Sequence, residues 1–302
     1  MNKKFLIVIA GPTAVGKTAF AVTAAQYFST EIISADSRQF YKELSIGVAR
    51  PSEAELSLVK HHFIASHSIH DYFTAGMYEL SVIELLNRLF QNHDVIVLTG
   101  GSGLYIDAVC NGIDDLPDID MDIRNKVLER YENEGIEPLV EDLKSIDPAY
   151  YQTADLANPK RIFKALEIFY MTGKPYSEFL TNPKKERNFN IIKIVLNKAR
   201  EELYQQINQR VDMMMETGLL DEARNLYPLR KLNALNTVGY KELFEYFDNK
   251  ITLKQAIDKI KQNTRHYAKR QITWFKRNND YTWFDATNKE LILQFLQKEI
   301  HA

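Results

Sequence analysis

Residues 11–18 read Gly11-Pro12-Thr13-Ala14-Val15-Gly16-Lys17-Thr18 and fit the phosphate-loop pattern G-x-x-x-x-G-K-[ST]. The apolar run Phe5–Ala10 directly before them predicts a buried strand. The two glycines let successive backbone N–H groups point into one concavity, and the helix begun near Lys17 adds the positive end of its dipole. Lys17 is expected to contact the outer phosphate, and the Thr18 hydroxyl can join the coordination shell of Mg²⁺. The stretch therefore predicts a strand, a loop that binds a polyphosphate, and a helix.

The first third of the chain extends this unit into an α/β fold. Apolar runs alternate there with helical patterns, as they do in a parallel sheet with crossover helices. Apolar residues at three- and four-residue spacing predict amphipathic helices over 19–28 and 77–91. The runs that predict strands are residues 4–10, 31–35, 94–98 and 191–196.

The pattern of secondary-structure signals in the sequence changes at residue 114. Strand signals disappear from there to about residue 190, and helix-starting and helix-ending residues divide the segment into three or four short helices. We predict an all-helical domain of residues 114–190, inserted into a P-loop NTPase-like parallel sheet core of residues 1–113 and 191–302. The C-terminal region, from 200 to 300, is expected to be helical nearly throughout.

The composition limits the class of protein. A chain of 302 residues with 45% hydrophobic residues can bury a substantial core. Because the net charge is only −2, a nucleic-acid partner would have to be met by a local basic patch. One cysteine, Cys110, excludes an intramolecular disulfide. No run approaches the roughly 20 apolar residues of a membrane span. We expect a soluble, cytoplasmic monomer.

Polar residues follow the second and third predicted strands. Asp36 follows the second, and in open α/β sheets ligands collect at the carboxyl ends of strands. Its neighbours Ser37, Arg38 and Gln39 can hydrogen-bond a base or a phosphate. The third strand runs into 99–102, where two glycines allow close backbone approach and Ser102 offers a hydroxyl. A nucleoside triphosphatase or kinase would be expected to carry a magnesium-holding Asp at the end of that strand, and this chain has none.

A basic stretch lies near the C-terminus. Residues 254–277 carry eight Lys or Arg against one acid, Asp258. Lys261, Arg265 and Lys269 follow an i, i+4 row on one helical face, which favours contact with an RNA backbone over a merely solvated face. The apolar residues predicted to turn from this helix into the core are Ile257, Ile260, Tyr267 and Trp274.

Seven motifs occur in an order that resembles bacterial tRNA dimethylallyltransferases: GPTAVGKT, ISADSRQFYKELSIGVARP, LTGGSGLYIDA, NPKRIFKALE, QRVDMMMETGLLDEA, NTVGYKE and TRHYAKRQITWFK. The resemblance covers residues 5 to about 284. It implies transfer of the dimethylallyl group of dimethylallyl diphosphate to N6 of adenosine 37, directly 3′ of the anticodon, in tRNAs that read codons beginning with U. It also implies Mg²⁺ as cofactor and an insertion that grips the anticodon stem.

The resemblance also implies roles for individual residues. Residues 11–18 would hold the diphosphate with Mg²⁺, Asp36 would accept the N6 proton, and Arg200 would face the diphosphate. Ser102 stands where the family usually has Thr, and Lys160-Arg161 where it usually has two arginines. The target base would be flipped out of the loop stack. The implied tRNA contacts are Asp36, Ser37, Arg38, Gln39, Ser102, Arg124, Lys160, Arg161, Ile162, Phe163, Lys164, Asn236, Thr237, Val238, Gly239, Tyr240, Lys241, Arg265, Lys269, Arg270 and Gln271.

Three other functions fit parts of the sequence. A nucleotide or small-metabolite kinase would use the phosphate loop and Asp36. It would, however, be expected to have an acid at the end of the third strand, and it would have no use for the basic helix. A transferase that prenylates free adenine nucleotides would share the core chemistry and have no use for the insertion. A non-enzymatic RNA-binding module leaves the phosphate loop and Asp36 unexplained.

Overall fold

A computed structural model of the chain describes residues 3–181 and 184–302. Within them, six parallel strands form one sheet in the spatial order β3-β2-β4-β1-β5-β6. The strands are β1 (Phe5–Ala10), β2 (Ile32–Ser34), β3 (His61–His62), β4 (Val95–Gly100), β5 (Asn190–Asn197) and β6 (Thr282–Asp285). The predicted α/β fold and its four strands are confirmed.

Two edge strands were not predicted. Strand β3 has two residues, too few to show an alternating pattern. Strand β6 corrects the expectation that the C-terminal region is helical nearly throughout. Its four residues pair with β5 at the sheet edge and are at most partly buried, so their sequence lacks the apolar run of a central strand.

Helices surround the sheet and fill most of the chain between the strands. Long apolar stretches would suit a membrane span, but no helix in the described ranges is long and apolar enough to cross a bilayer. The helices are α1 (Lys17–Tyr27), α2 (Glu53–Leu58), α3 (Ala75–Leu89), α4 (Gly103–Asn111), α5 (Met121–Glu134), α6 (Glu137–Ile146), α7 (Pro148–Thr153), α8 (Pro159–Thr172), α9 (Arg200–Glu216), α10 (Leu219–Leu226), α11 (Tyr240–Phe247), α12 (Leu253–Lys276) and α13 (Lys289–His301).

The sheet separates two apolar layers. All residues of β1 and β4 are buried, as expected for parallel strands covered on both faces. Because side chains alternate along a strand, Ile7 and Ile9 pack with α1 on one face, whereas Leu6 and Val8 pack with α3 on the other. Because β1, β2 and β4 run parallel, their carboxyl ends lie at the same edge of the sheet.

The chain divides into two compact units. One contains the residues up to Cys110 together with Glu186–Ala302, and the other is Asn111–Lys185. The smaller unit is built from α5 to α8 and has an apolar core of its own around Leu139, Leu143 and Leu166. Residues 1–2 and 182–183, which the predicted domains include, lie outside the described residues.

Candidate active site

Two adjoining cavities open at the carboxyl edge of the sheet. The loop cavity, of about 450 Å³, is lined by the phosphate loop and α2. The helix cavity, of about 500 Å³, is lined by α9, α12 and residues 236–239 and 241. Six residues line both cavities, and we call them the neck: Thr13, Asp36, Val48, Ala49, Arg210 and Tyr267.

The phosphate loop has the conformation that its glycines permit. Gly16 has a φ of 102° and precedes α1, so it adopts a left-handed conformation that favours glycine. A Cβ on Gly11 would come within 2.5 Å of the Leu196 carbonyl oxygen, which leaves no room for a larger residue. The loop therefore presents backbone to the loop cavity, and Lys17 and Thr18 line it as predicted.

The amine of Lys17 is buried near the Asp36 carboxylate. Its Nζ donates to the Pro12 carbonyl oxygen at 2.7 Å. Burial lowers the pKa of Lys17 to about 7, although the nearby Asp36 carboxylate opposes the shift. An anion in the loop cavity would add to the effect of Asp36 and favour the protonated amine.

Asp36 lies in the neck, between the phosphate loop and the helix cavity. Its Oδ1 accepts from the Arg38 backbone N–H at 3.0 Å, which fixes the carboxylate at the end of β2. The Ser37 N–H donates to Ser102 Oγ at 2.9 Å, so the ends of β2 and β4 are joined through the serine that the sequence singles out. A carboxylate that lines both cavities can accept a proton from a molecule in either one.

The glycine turn after β4 fits against its neighbours without space for side chains. A Cβ on Gly100 would lie 2.2 Å from the Ala35 carbonyl oxygen, and one on Gly101 would lie 2.1 Å from Gln271 Nε2. Gln271 Oε1 accepts from the Thr13 N–H at 2.8 Å, and its Nε2 donates to the Gly101 carbonyl oxygen at 2.9 Å. Gln271, only 5% exposed, thus joins the phosphate loop to this turn. In the ligand-free protein the side-chain amide is therefore engaged within the site, and the predicted contact of Gln271 with tRNA stays a prediction.

The structure also corrects the choice of arginine. Arg200 begins α9, is exposed, and stacks on Tyr204 at 5.2 Å without lining either cavity. Arg210, about three turns further along α9, lines both. Burial lowers the pKa of its guanidinium, and Glu55 and Asp36 oppose the shift. The sequence offers a signal that was missed: Arg210 follows Leu203 and Ile207 at seven- and three-residue spacing and so shares the buried face of α9.

Most of the predicted tRNA contacts in the larger unit surround the helix cavity. Tyr240 is an exception, because its ring is fully buried and its hydroxyl donates to Glu222 at 2.6 Å. Gln39 faces the loop cavity, and its Nε2 donates to the carbonyl oxygens of Val48 at 3.2 Å and Ala49 at 2.9 Å. The predicted residues that line the helix cavity are Asp36, Ser37, Arg38, Asn236, Thr237, Val238, Gly239, Lys241 and Arg270.

The basic row on α12 is only partly available for RNA. Lys261 Nζ pairs with Asp212 at 2.6 Å, and Arg265 donates to Asn208 Oδ1 at 2.7 Å, so both bind α9. Lys269 is exposed. Trp274 does not turn into the core as expected: it is 38% exposed, and its indole N–H donates to Asp107 at 2.8 Å.

The predicted contacts of the smaller unit fall into two groups. Lys160 and Arg161 are exposed at the start of α8, but Ile162 and Phe163 are buried in the core of this unit. Their side chains therefore cannot contact RNA in this conformation. Arg124 pairs at 2.9 Å with the buried Glu167, and burial lowers the pKa of Lys164.

The chain is similar to known proteins in both sequence and fold. Residues 39–278 match a protein-family model described as IPP transferase. The chain is 52% identical to tRNA dimethylallyltransferase 1 of Phocaeicola vulgatus, over 98% of this chain and 99% of that protein. It is also 52% identical to the protein of the same name in Bacteroides fragilis, over 99% of this chain and the whole of that protein.

Two solved structures resemble it closely. One is the tRNA isopentenylpyrophosphate transferase of Bacillus halodurans, with a TM-score of 0.72, 34% identity and coverage of 99% of this chain and 97% of that one. The other is a eukaryotic dimethylallyltransferase acting on tRNA, with a TM-score of 0.76, 26% identity and coverage of 94% of this chain and 74% of that one.

Proposed function

The chain belongs to the IPP transferase family, and from that premise we propose that it transfers the dimethylallyl group of dimethylallyl diphosphate to N6 of adenosine 37 in tRNA. The observation that carries the proposal is the neck. It joins a cavity lined by a phosphate loop to a second cavity lined by basic and polar side chains, with Asp36 and Arg210 between them. Such an arrangement suits two substrates that meet from opposite sides.

The loop cavity would hold the diphosphate and the helix cavity the base. Backbone N–H groups, the α1 N-terminus and Lys17 all favour an anion in the loop cavity. The helix cavity is lined by Arg38, Lys241 and Arg270, which can contact phosphates next to a flipped nucleotide. The base then approaches the allylic carbon through the neck.

The reaction breaks the bond between C1 and the diphosphate oxygen and forms a bond between C1 and N6. N6 loses one proton, which the Asp36 carboxylate accepts, and the diphosphate leaves with the electron pair of the broken bond. The amine is a poor base, but its proton becomes acidic as N6 attacks, so a carboxylate suffices. Lys17 and Arg210 would stabilise the negative charge that grows on the leaving group.

Magnesium belongs to the proposal as well. The Thr18 hydroxyl lines the loop cavity and is a hard oxygen donor of the kind that Mg²⁺ prefers. Within residues 3–181 and 184–302 no group of three or more His, Cys, Asp or Glu could hold a metal, so oxygens of the diphosphate and water would supply the remaining ligands. A bound Mg²⁺ would neutralise charge on the leaving group.

The wider tRNA surface is proposed from charge. The exposed Lys160 and Arg161 of the smaller unit would contact the anticodon stem, and Lys269 on α12 would contact the loop backbone. Since tRNA is the substrate, we place the enzyme in the cytoplasm and propose that it acts as a monomer on tRNAs that read U-initial codons.

The test is transfer to a defined RNA. The protein, dimethylallyl diphosphate and Mg²⁺ are incubated with an unmodified anticodon stem-loop, and mass spectrometry should find one added C5H8 unit on adenosine 37. A stem-loop with guanosine at that position is the matched control and should gain nothing. Modification of free adenosine monophosphate, or phosphate transfer from ATP in place of prenyl transfer, would reject the proposal and favour the nucleotide prenyltransferase or the kinase.

A further inference from the structure

The segment Ser45–Ala49, which we call the wall segment, has an anchor that the proposed chemistry does not use. Gly47, Val48 and Ala49 line the helix cavity, and the last two also belong to the neck. The Glu222 carboxylate, from α10, accepts the backbone N–H groups of this segment. The three distances are 3.2 Å from Ser45 N, 2.8 Å from Ile46 N and 2.9 Å from Gly47 N.

A fourth donor completes the set. The Tyr240 hydroxyl donates to Glu222 Oε1 at 2.6 Å, so each carboxylate oxygen accepts two hydrogen bonds. A Cβ on Gly47 would lie 2.6 Å from the Tyr240 ring, which means that the segment is packed directly on that side chain. Charge-assisted bonds of this kind are about twice as strong as neutral ones.

The wall segment needs such support because its own conformation is unfavourable. Ala49 has a φ of 48°, a left-handed value that non-glycine residues rarely adopt. The carbonyl side of the segment is held separately, by Gln39 at Val48 and Ala49. Arg50 donates to the carbonyl oxygens of Tyr41 and Lys42 at 2.9 and 2.8 Å and so fixes the chain just before the segment.

We propose that Glu222 is a positioning residue for the transfer reaction: its carboxylate fixes the wall segment and thereby the shape of the neck between the two cavities. The reaction that it serves is the proposed function, but its action on the wall segment is independent of that function. Glu222 lines neither cavity, so it acts on the substrates through the wall segment.

The carboxylate is specific to this task. All four partners are donors, so both oxygens must accept. In Glu222→Gln the shape is kept, but an NH₂ group faces two donors and those bonds are lost. Asp221→Asn is the matched control, because Asp221 is exposed on the same helix and its substitution removes the same charge.

The first measurement is hydrogen exchange of the wall segment in the ligand-free protein. The amide nitrogen of Gln replaces one oxygen, so either the amides of Ser45 and Ile46 or the amide of Gly47 lose their acceptor. We expect exchange of the amides that lose it to accelerate about tenfold or more in Glu222→Gln. Exchange in Asp221→Asn should match the wild type. Unchanged exchange in a folded Glu222→Gln protein would overturn the proposal, whatever the enzyme catalyses.

The second measurement is steady-state kinetics with active-site titration. Because the wall segment borders both cavities, we expect KM to rise about tenfold for both dimethylallyl diphosphate and tRNA in Glu222→Gln. The active-site titration should show that every folded molecule is still active. A merely structural role would lower the melting temperature or the active fraction and leave both KM values unchanged, which would also overturn the proposal. A wild-type protein without prenyl transfer would reject the proposed function alone, and the exchange result would still decide the role of Glu222.

Discussion

The neck and helix α12 border the same cavities but organise charge in opposite ways. In the neck, Asp36 and Arg210 are held close together near Lys17, and each affects the pKa of a neighbour. On α12 the cations are spread over 24 residues, and two of the predicted row bind α9. Chemistry concentrated in a few atoms should be sensitive to single substitutions, whereas a distributed surface should lose affinity in small steps.

The largest effect is expected at Asp36. Asp36→Asn keeps an oxygen for the Arg38 N–H but cannot accept the N6 proton, so the chemical step should slow by roughly 10² to 10⁴. The measurement is single-turnover prenyl transfer with both substrates saturating, alongside a melting curve. A folded mutant with a near wild-type rate would remove Asp36 as the base and would break the comparison at its strongest point.

The second effect separates the two arginines. Loss of a charge-assisted contact to the leaving group costs about 1.5–3 kcal/mol, so Arg210→Ala should lower kcat/KM for dimethylallyl diphosphate roughly ten- to hundredfold. Arg200→Ala, at the exposed start of the same helix, is the control and should stay within about twofold of the wild type. The reverse order would restore the expectation drawn from the sequence.

Why the sequence identified some residues and missed others follows from the same contrast. The phosphate loop and Asp36 are local: a strand, its end and the next residues determine their position. Arg210 and Arg200 lie on one helix, and only the packing of α9 decides which of them reaches the neck. Gln271 lies inside a basic motif that is predicted to contact RNA. Its side-chain amide nevertheless forms hydrogen bonds with Thr13 and Gly101, which are far away in sequence. Strand β6 depends on pairing with β5 and not on a strong pattern of its own.

The third effect tests the distributed surface. Lys269→Ala should weaken tRNA binding several-fold and reduce the slope of log K against log salt by about one unit. Lys261→Ala should leave that slope nearly unchanged, because the Lys261 ammonium is paired with Asp212. Binding is measured by titration over a range of salt concentrations. Equal slopes for the two variants would mean that α12 behaves as a uniform basic face and that its pairing with α9 does not matter.

The smallest effect is expected at Lys17, next to the neck. Binding of the diphosphate should change the protonation of this amine by only a fraction of a proton, which tests how strongly the charges near the neck affect one another. With a pKa of about 7 in the ligand-free protein, Lys17 is about half protonated at pH 7. A bound diphosphate stabilises the ammonium and raises this pKa, so binding should take up about half a proton at pH 7 and more at pH 8.

The sign of the pH dependence follows. Affinity should be flat below about pH 6, where Lys17 is already charged, and should fall as the pH rises through 7. The measurement is calorimetry of dimethylallyl diphosphate binding in buffers of different ionisation enthalpy, and Lys17→Arg is the control because a guanidinium stays protonated. Titration of the ligand itself contributes equally to both proteins, so the difference between them reports Lys17. Equal proton uptake by the two proteins would mean that Lys17 is fully protonated before the diphosphate binds. The effect of the Asp36 carboxylate on the pKa of Lys17 would then outweigh the effect of burial.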